Sequence, residues 1–414
     1  MQRKKLIVIG GGAAGFFCAV NAAGGNLDVT ILEKGHRVLQ KVKASGGGRC
    51  NVTNATFSIA AMVRQYPRGS RFLKEAFGHF FTTDTIAWFE NRGVPLKTEA
   101  DGRVFPVSDS SGAIISCLLR EADTRGVTLQ MNQEVESVTV TGSGQFQVGL
   151  RGAGSLVADY VCVACGGYPV ESRYGWIQAL GHRIESPVPS LFTFNIPGNN
   201  IVDLSGISLE GAAIRIQDTS FTSSGPLLIT HWGFSGPAIL RLSAVAAREL
   251  ATRGYQFSIT VNWIEGFHET LMTQTLASMR KEAPSRMIGN QGCKSFHVPQ
   301  RFWDYQLQCC EIPSTQRWAD LSTKQQNRLA RALCSQPFDV RGKTTFKEEF
   351  VTAGGVRLED IDPSTMQSKR LAGLFFAGEI MDVDGVTGGY NFQHAWTSGF
   401  LAAKTISEMA GLSH

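Results

Sequence analysis

Long hydrophobic runs are missing from this 414-residue chain, and no apolar stretch approaches the roughly 20 residues that a membrane-spanning helix needs. Arg3-Lys4-Lys5 before Leu6 to Ile9 has the outline of a secretory signal, but the apolar run is too short and enters glycines, so a strand is expected. Strong charge imbalance is missing too: 40 basic against 35 acidic residues leave +5, which by itself implies no anionic partner. The nine cysteines are odd in number and scattered, which argues for reduced thiols in the cytoplasm and against a disulfide framework. The eight histidines show no metal-ligand spacing, so no metal is expected. With 43% hydrophobic residues the chain can bury large cores, and its length suggests two or three domains.

What it has in excess is glycine, 45 residues without a collagen-like period, and these point to specific turns and to loops that meet a ligand. Lys5 to Ile9 reads as a buried strand, Ala13 to Ala23 as a helix and Asp28 to Leu32 as a second strand. A polar, glycine-rich stretch runs from Lys41 to Asn54, and a helix is expected over Ser111 to Thr124 behind the capping residues Ser108 and Asp109. Glu134 to Val140, Gln145 to Leu150 and Leu156 to Val163 read as strands. Near Pro187 to Pro189 the character changes. Strand-like runs at Leu191 to Ile196, Ala212 to Gln217 and Tyr255 to Val261 flank one helix from Pro237 to Leu250, with Ser235 as its cap. Glu265 to Leu333 reads as helical, Phe338 to Phe346 as strand, and Gly373 to Ala377 with Phe392 to Met409 as a closing strand and helix. The expected architecture is α/β: a Rossmann-like domain over 1–188 and 346–414, interrupted by a β-rich, barrel-like insert over 189–264 and 336–345. That insert carries a helical subdomain over 265–335.

Gly10-Gly11-Gly12-Ala13-Ala14-Gly15 satisfies G-x-G-x-x-G between an apolar strand and a helix. Gly10 permits the turn, Gly12 lets backbone approach a pyrophosphate, and Gly15 lets the helix pack on the sheet. The helix start faces the phosphates with unpaired N–H groups, chiefly those of Ala13 and Ala14. Glu33, at the end of the second strand and followed by Lys34, can accept from both ribose hydroxyls and would repel a 2′-phosphate. The fingerprint alone does not choose between NAD and FAD. Leu371 to Glu379 (LAGLFFAGE), an apolar strand ending at Gly378-Glu379, is similar to the second signature of FAD-dependent two-dinucleotide-fold enzymes. The acid of that signature binds the ribityl chain and is usually Asp, so Glu379 is a departure. Gly388-Gly389-Tyr390-Asn391-Phe392 opens the last helix, whose N–H groups can stabilise negative charge on a reduced ring.

Together the stretches GGGAAG (Gly10 to Gly15), KASGGGRCNVTN (Lys43 to Asn54), ACGGYP (Ala164 to Pro169), THWGFSGPAIL (Thr230 to Leu240) and FFAGEIMDVDGVTGGYNFQHAW (Phe375 to Trp396) resemble the BaiN/RdsA-like family of NAD(P)/FAD-dependent oxidoreductases. The resemblance implies bound FAD, with contacts at Ser45, Gly48, Arg49, Cys50 and Asn51, at the Cys165-Gly166-Gly167 turn, and through the backbone of Val135 at adenine. It also implies NADH or NADPH as a transient electron donor, since no second G-x-G-x-x-G is present. Where the family has a small residue and Thr before its paired glycines, this chain has Cys162-Val163-Ala164-Cys165. That C-x-x-C ends a buried strand, which disfavours a thiol-redox pair. Cys309-Cys310 reads as core packing.

A flavin enzyme must supply protons, and three residues stand as catalytic candidates. Cys50 either protonates a carbon centre or merely fits a crowded turn. His231 either acts as acid or base, or belongs to a motif that starts a helix. Tyr390 either donates its phenol across the ring or packs. Asp382 and Asp384 are expected to shape their loop. Family members are associated with reduction of carbonyl-activated C=C bonds, uridine in ribosomal RNA or steroid-type enones, and also with aminoacetone oxidation that releases peroxide. A flavin-bound RNA-associated protein without turnover is a third reading. From Ala277 to Ser335 the basic residues Arg280, Lys281, Arg286, Lys294, Arg301, Arg317, Lys324, Arg328 and Arg331 outnumber Glu282, Asp304, Glu311 and Asp320. This favours ribosomal RNA as partner, with Trp303, Tyr305 or Trp318 available to stack a base.

Overall fold

The computed structural model describes residues 3–152, 154–344 and 351–411. They form two compact units, one from Met1–Ser190 with Phe346–His414 and one from Leu191–Thr345. In chain order the first unit supplies β1 (Lys4–Ile9), α1 (Ala13–Ala22), β2 (Leu27–Glu33), α2 (Ser111–Thr124), β3 (Thr128–Met131) and β4 (Tyr160–Val163). The second supplies β5 (Thr193–Asn195), β6 (Ser208–Ile216), β7 (Thr222–Thr230), β8 (Gly233–Ser235), α3 (Pro237–Val245), β9 (Gln256–Asn262), α4 (Glu269–Glu282), α5 (Ile288–Ser295), α6 (Gln300–Cys309), α7 (Thr323–Cys334), β10 (Gln336–Arg341) and β11 (Lys343–Thr344). The chain then returns to the first unit with β12 (Val351–Val356), β13 (Leu374–Phe376) and α8 (Tyr390–Met409).

The first unit is built on a parallel sheet in the order β13-β4-β1-β2-β3. Its central strands are apolar and β-branched, and Leu6 to Ile9 and all of β4 are buried, as a sheet covered on both faces requires. α1 is apolar nearly all round because it lies between the sheet and α8, with the Phe17 and Trp396 rings 5.2 Å apart. The expected strand Leu156 to Val163 is two strands in different sheets. Ser155–Ala158 closes a three-stranded meander, while Tyr160–Val163 joins the parallel sheet. Asp159 sits at the crossing, its backbone N–H donating to Lys5 O at 2.9 Å and its carboxylate accepting from Lys5 N–H at 2.8 Å. The cap of α2 is Ser110, whose hydroxyl accepts from Gly112 N–H, so neither Ser108 nor Asp109 performs that task.

The second unit is an antiparallel sheet in the order β10-β9-β6-β7-β8-β5-β11. Its two outermost strands are consecutive in the chain, joined through Gly342, so the sheet must curl round on itself. Strand β7 was invisible to pattern reading because its first half, Thr222 to Gly225, has no apolar alternation. The helix expected from Pro237 to Leu250 breaks in two at Ala246, and its cap is Gly236, since Ser235 still belongs to β8. Helices α4 to α7 have no core of their own. Trp263 packs against Phe302 of α6 and Phe338 of β10, so sheet and helices share one apolar cluster. Trp303 and Trp318 lie inside that cluster with no exposure, which removes both as platforms for a base. The expected strand end at Phe346 lies outside the described residues. Among the described residues no helix is long and apolar enough to cross a membrane.

Candidate cofactor-binding site

The carboxyl ends of β1, β2 and β4 converge where α1 begins. Gly15 is forced by contact: a Cβ there would lie 2.0 Å from Gly10 O. This lets α1 start directly above the sheet. The N-cap, Gly12, offers no side chain, and no described acceptor meets the N–H groups of Ala13, Ala14 and Gly15. These N–H groups with the helix dipole form an anion seat. Glu33 borders it, accepting from Gly11 N–H at 2.8 Å and Gly35 N–H at 2.7 Å, which leaves lone pairs on both oxygens for ribose hydroxyls. Glu33, Lys34, Gly10, Val135 and Cys165 line one cleft, together with Gln133, Glu134 and Tyr168, which sequence reasoning did not single out.

On the other side of the α1 start, Gly378 brings the closing strand's turn so near that a Cβ on it would lie 2.8 Å from the Ala14 Cβ. Glu379 does not stand free there: Lys41 Nζ donates to it at 2.5 Å and Thr352 N–H at 2.9 Å. Any hydroxyl it binds therefore shares the carboxylate with Lys41, a residue the pattern search missed. Gly167 lies against Thr352, where a Cβ would meet Oγ1 at 2.5 Å, and that buried Oγ1 has no hydrogen-bond partner among the described residues. His394 Nδ1 is orphaned as well, and Nε2 of the same ring meets Gly378 O at 3.2 Å. Burial pushes that imidazole down to about 4, so it is neutral near pH 7.

The third edge joins the Ser45–Gly48 loop to the start of α8. Asn51 and Gly389 meet here: the Asn51 amide oxygen accepts from Gly389 N–H at 2.9 Å, and a Cβ on Gly389 would lie 2.5 Å from Thr53 O. Asn54 Nδ2 donates to Gly388 O, Thr53 Oγ1 to Gln393 Oε1 and Trp396 Nε1 to Val52 O, so the loop is stitched to the helix. The N–H groups of Asn391 and Phe392 belong to the open first turn of α8. Their side chains do not face it: the Asn391 amide grips both backbone groups of Gly385, and the Phe392 ring stacks on Trp396 at 5.7 Å. Arg49 likewise turns its guanidinium to Glu99 at 2.7 Å and lies over the Phe105 ring. Ser45 Oγ donates to Val42 O.

The catalytic candidates separate clearly. Cys50 is fully buried, with its backbone at φ 62°, and burial pushes its thiol up to about 12, which makes it a poor acid. Tyr390 is buried and its carbonyl accepts from Tyr66 Oη at 2.7 Å. His231 belongs to the second unit, exposed at the turn between β7 and β8, with Trp232 edge-on to it at 4.3 Å. Cys162 is a free thiol buried beside the free thiol of Cys18, and burial raises the Cys165 thiol to about 11, so neither is a reactive thiolate. Of the adjacent pair in α6, only Cys310 is core; Cys309 is exposed. Asp384 does organise its loop, through an ion pair to Arg68 and a 2.8 Å bond from Ser190 Oγ.

The site fits FAD on three counts: an uncapped helix start for the pyrophosphate, an acid beside it for the ribose, and orphaned Thr352 and His394 atoms along the remaining edge. A family model described as an HI0933-like protein Rossmann domain matches residues 4–405. The chain belongs to this family. It is 30% identical to the ribosomal RNA dihydrouridine synthase of Escherichia coli, over 98% of each chain. It is 27% identical to the 3-dehydro-bile acid delta(4,6)-reductase of Clostridium scindens, over 97% of its own length and 98% of that protein's. Among solved structures, 3-ketosteroid delta1-dehydrogenase from Sterolibacterium denitrificans shares the fold at 13% identity and a TM-score of 0.52, covering 99% of this chain and 100% of that one. The chain is thus an FAD-dependent oxidoreductase of the BaiN/RdsA-like kind, with a Rossmann-type domain interrupted by a β-rich insert that carries helices.

Proposed function

We propose that this enzyme uses NADH or NADPH to reduce an activated C=C bond, and that its substrate is uridine in ribosomal RNA, giving dihydrouridine. The observation that carries the reading is the 30% identity, end to end, with a protein named for that reaction. Bound FAD supplies the two-electron redox chemistry. Ala13, Ala14 and Gly15 would hold its pyrophosphate by their N–H groups and Glu33 its ribose, with the loop Ser45 to Asn51 and the α8 start left to hold the ring. Of the three proton-donor candidates, Cys50 and Tyr390 are buried in the first unit, and His231 presents an exposed imidazole in the second. The nine free thiols suit a cytoplasmic enzyme. A steroid-type enone is the second reading, supported by the bile-acid reductase relative.

The test is mass spectrometry of nucleosides from large-subunit ribosomal RNA of the source organism and of a strain lacking this gene. Dihydrouridine should disappear and return with the gene, but not with a Glu33→Arg copy, which removes the ribose acceptor. An unchanged profile overturns the RNA reading and leaves the enone. Rapid peroxide release with a small amine would point instead to an oxidase.

A further inference from the structure

The second unit carries cations that its own carboxylates do not neutralise. In the segment Ala277 to Ser335 the described ion pair is Arg328 with Glu311, and Arg280, Lys281, Arg286, Lys294 and Arg317 have no carboxylate partner among the described residues. Several of them gather on one concave surface. Arg286, Met287, Asn290, Gln291, Lys294 and Ser295 line a cavity of about 540 Å³ along α5. Arg317 lies beside this surface, paired with Met287 across an antiparallel bridge. Residues directly opposite in such a pair project to the same side.

This surface is held rigid from behind. Met287, Asn290, Gln291 and Lys294 share one helix face at spacings of three and four, and Ile288, Gly292 and Cys293 fill the opposite face. Gly292 lies flat on Trp303, where a Cβ would be 1.9 Å from the ring, and Trp303 Nε1 donates to Ile288 O at 3.1 Å. The helix start contributes no anion seat, since Ile288 N–H donates to Gln316 O and Gly289 N–H to Ser314 O. Charge there comes from side chains alone. Arg286, Lys294 and Arg317 are exposed, and Lys294 lies about 10 Å along the helix axis from Met287. Exposed Met287 adds an apolar contact among the cations.

We propose that this α5 groove is the RNA-docking surface of the enzyme: Arg286, Lys294 and Arg317 hold phosphates of a structured RNA. Cations spread along one helix face match a chain of phosphates, and the substrate proposed above makes that chain RNA. The inference rests on the RNA reading above, and the experiment separates the two. Binding of a fluorescein-labelled RNA stem-loop of about 30 nucleotides to the FAD-loaded enzyme is followed by anisotropy across salt concentrations. The Arg286→Gln/Lys294→Gln/Arg317→Gln variant should bind at least about tenfold more weakly at ~0.1 M salt, with a log–log salt slope lower by about two to three. Its 450 nm flavin absorbance and melting temperature should match the wild type, because all three side chains are exposed. The charge-preserving Arg286→Lys/Lys294→Arg/Arg317→Lys variant should recover most of the affinity. Unchanged binding by the Gln variant overturns the groove while leaving an RNA substrate standing. Absence of salt-dependent RNA binding by the wild type overturns both. Equal binding of a DNA hairpin of the same sequence, or equal competition by polyglutamate, overturns RNA as the occupant, the latter in favour of an acidic protein.

Discussion

Replacing Arg68 by Met should destabilise the FAD-binding unit severely. Asp384 has a side chain with no exposure, and its carboxylate is held by a bidentate ion pair from Arg68 and a 2.8 Å bond from Ser190 Oγ. Removing one partner of such a pair leaves a buried uncompensated charge, which costs about 3–5 kcal/mol. In a unit of this size that lowers the melting temperature by roughly 6 °C or more. The cost should depend on pH. Burial lifts the Asp384 carboxyl above its ordinary range even with Arg68 present, and loss of the cation lifts it further. The folded variant then keeps a proton that the unfolded chain releases above about pH 4, so stability falls as pH rises through that window. Scanning fluorimetry of wild type, Arg68→Met, Asp384→Asn and the double variant at pH 5 and pH 8 measures this. Arg68→Met should lose most at pH 8, and the double variant should recover a large share, because the orphaned charge is gone. The same loop leads through Gly385, gripped by Asn391, into the start of α8, so Arg68→Met should also release FAD more readily. A loss below 1 kcal/mol, or one equal at both pH values, would refute the argument.

Gly15→Ala should yield protein with little bound flavin, read as the ratio of 450 to 280 nm absorbance, since its Cβ would strike Gly10 O at 2.0 Å and displace the helix start from the pyrophosphate seat. Cys50→Ala should change turnover of the C=C substrate little, because burial pushes that thiol up to about 12 and leaves it a poor acid; single-turnover product analysis checks this. Burial pushes His182 and His394 down to about 4, so the unfolded chain takes up protons first as pH falls, and stability should drop between about pH 6.5 and pH 4 by about 3 kcal/mol per histidine. Melting curves across that range should flatten in a His182→Gln/His394→Gln variant, and an unaltered slope would contradict the assignment.

The opening of the fold was readable because its determinants are local. Strand, glycine turn, helix and acid fall within Lys4 to Glu33, and Gly10 and Gly15 answer close contacts at the end of the adjoining strand and inside that span. Failures came where pattern is silent. β7 was missed because Thr222 to Gly225 lacks alternation, and Leu156 to Val163 was read as one strand because a crossing between sheets at Asp159 leaves the apolar rhythm intact. Arg49 and Asn391 carried the right chemistry for a ligand, yet Glu99 and Gly385 take their side chains.

By itself, then, the sequence determined the dinucleotide-binding opening, the flavin-type closing strand and helix, and the excess of basic residues between Ala277 and Ser335. Tertiary structure alone decided which residues complete the cradle. Lys41 meets Glu379 across 338 positions, Thr53 meets Gln393 across 340, and Arg68 meets Asp384 across 316. It also decided that Trp303 and Trp318 are core while Arg286, Lys294 and Arg317 stay exposed. Local propensity acts over a turn or a strand, whereas the partner of a charged or aromatic side chain is set by how distant segments pack, and that information is carried by the whole core.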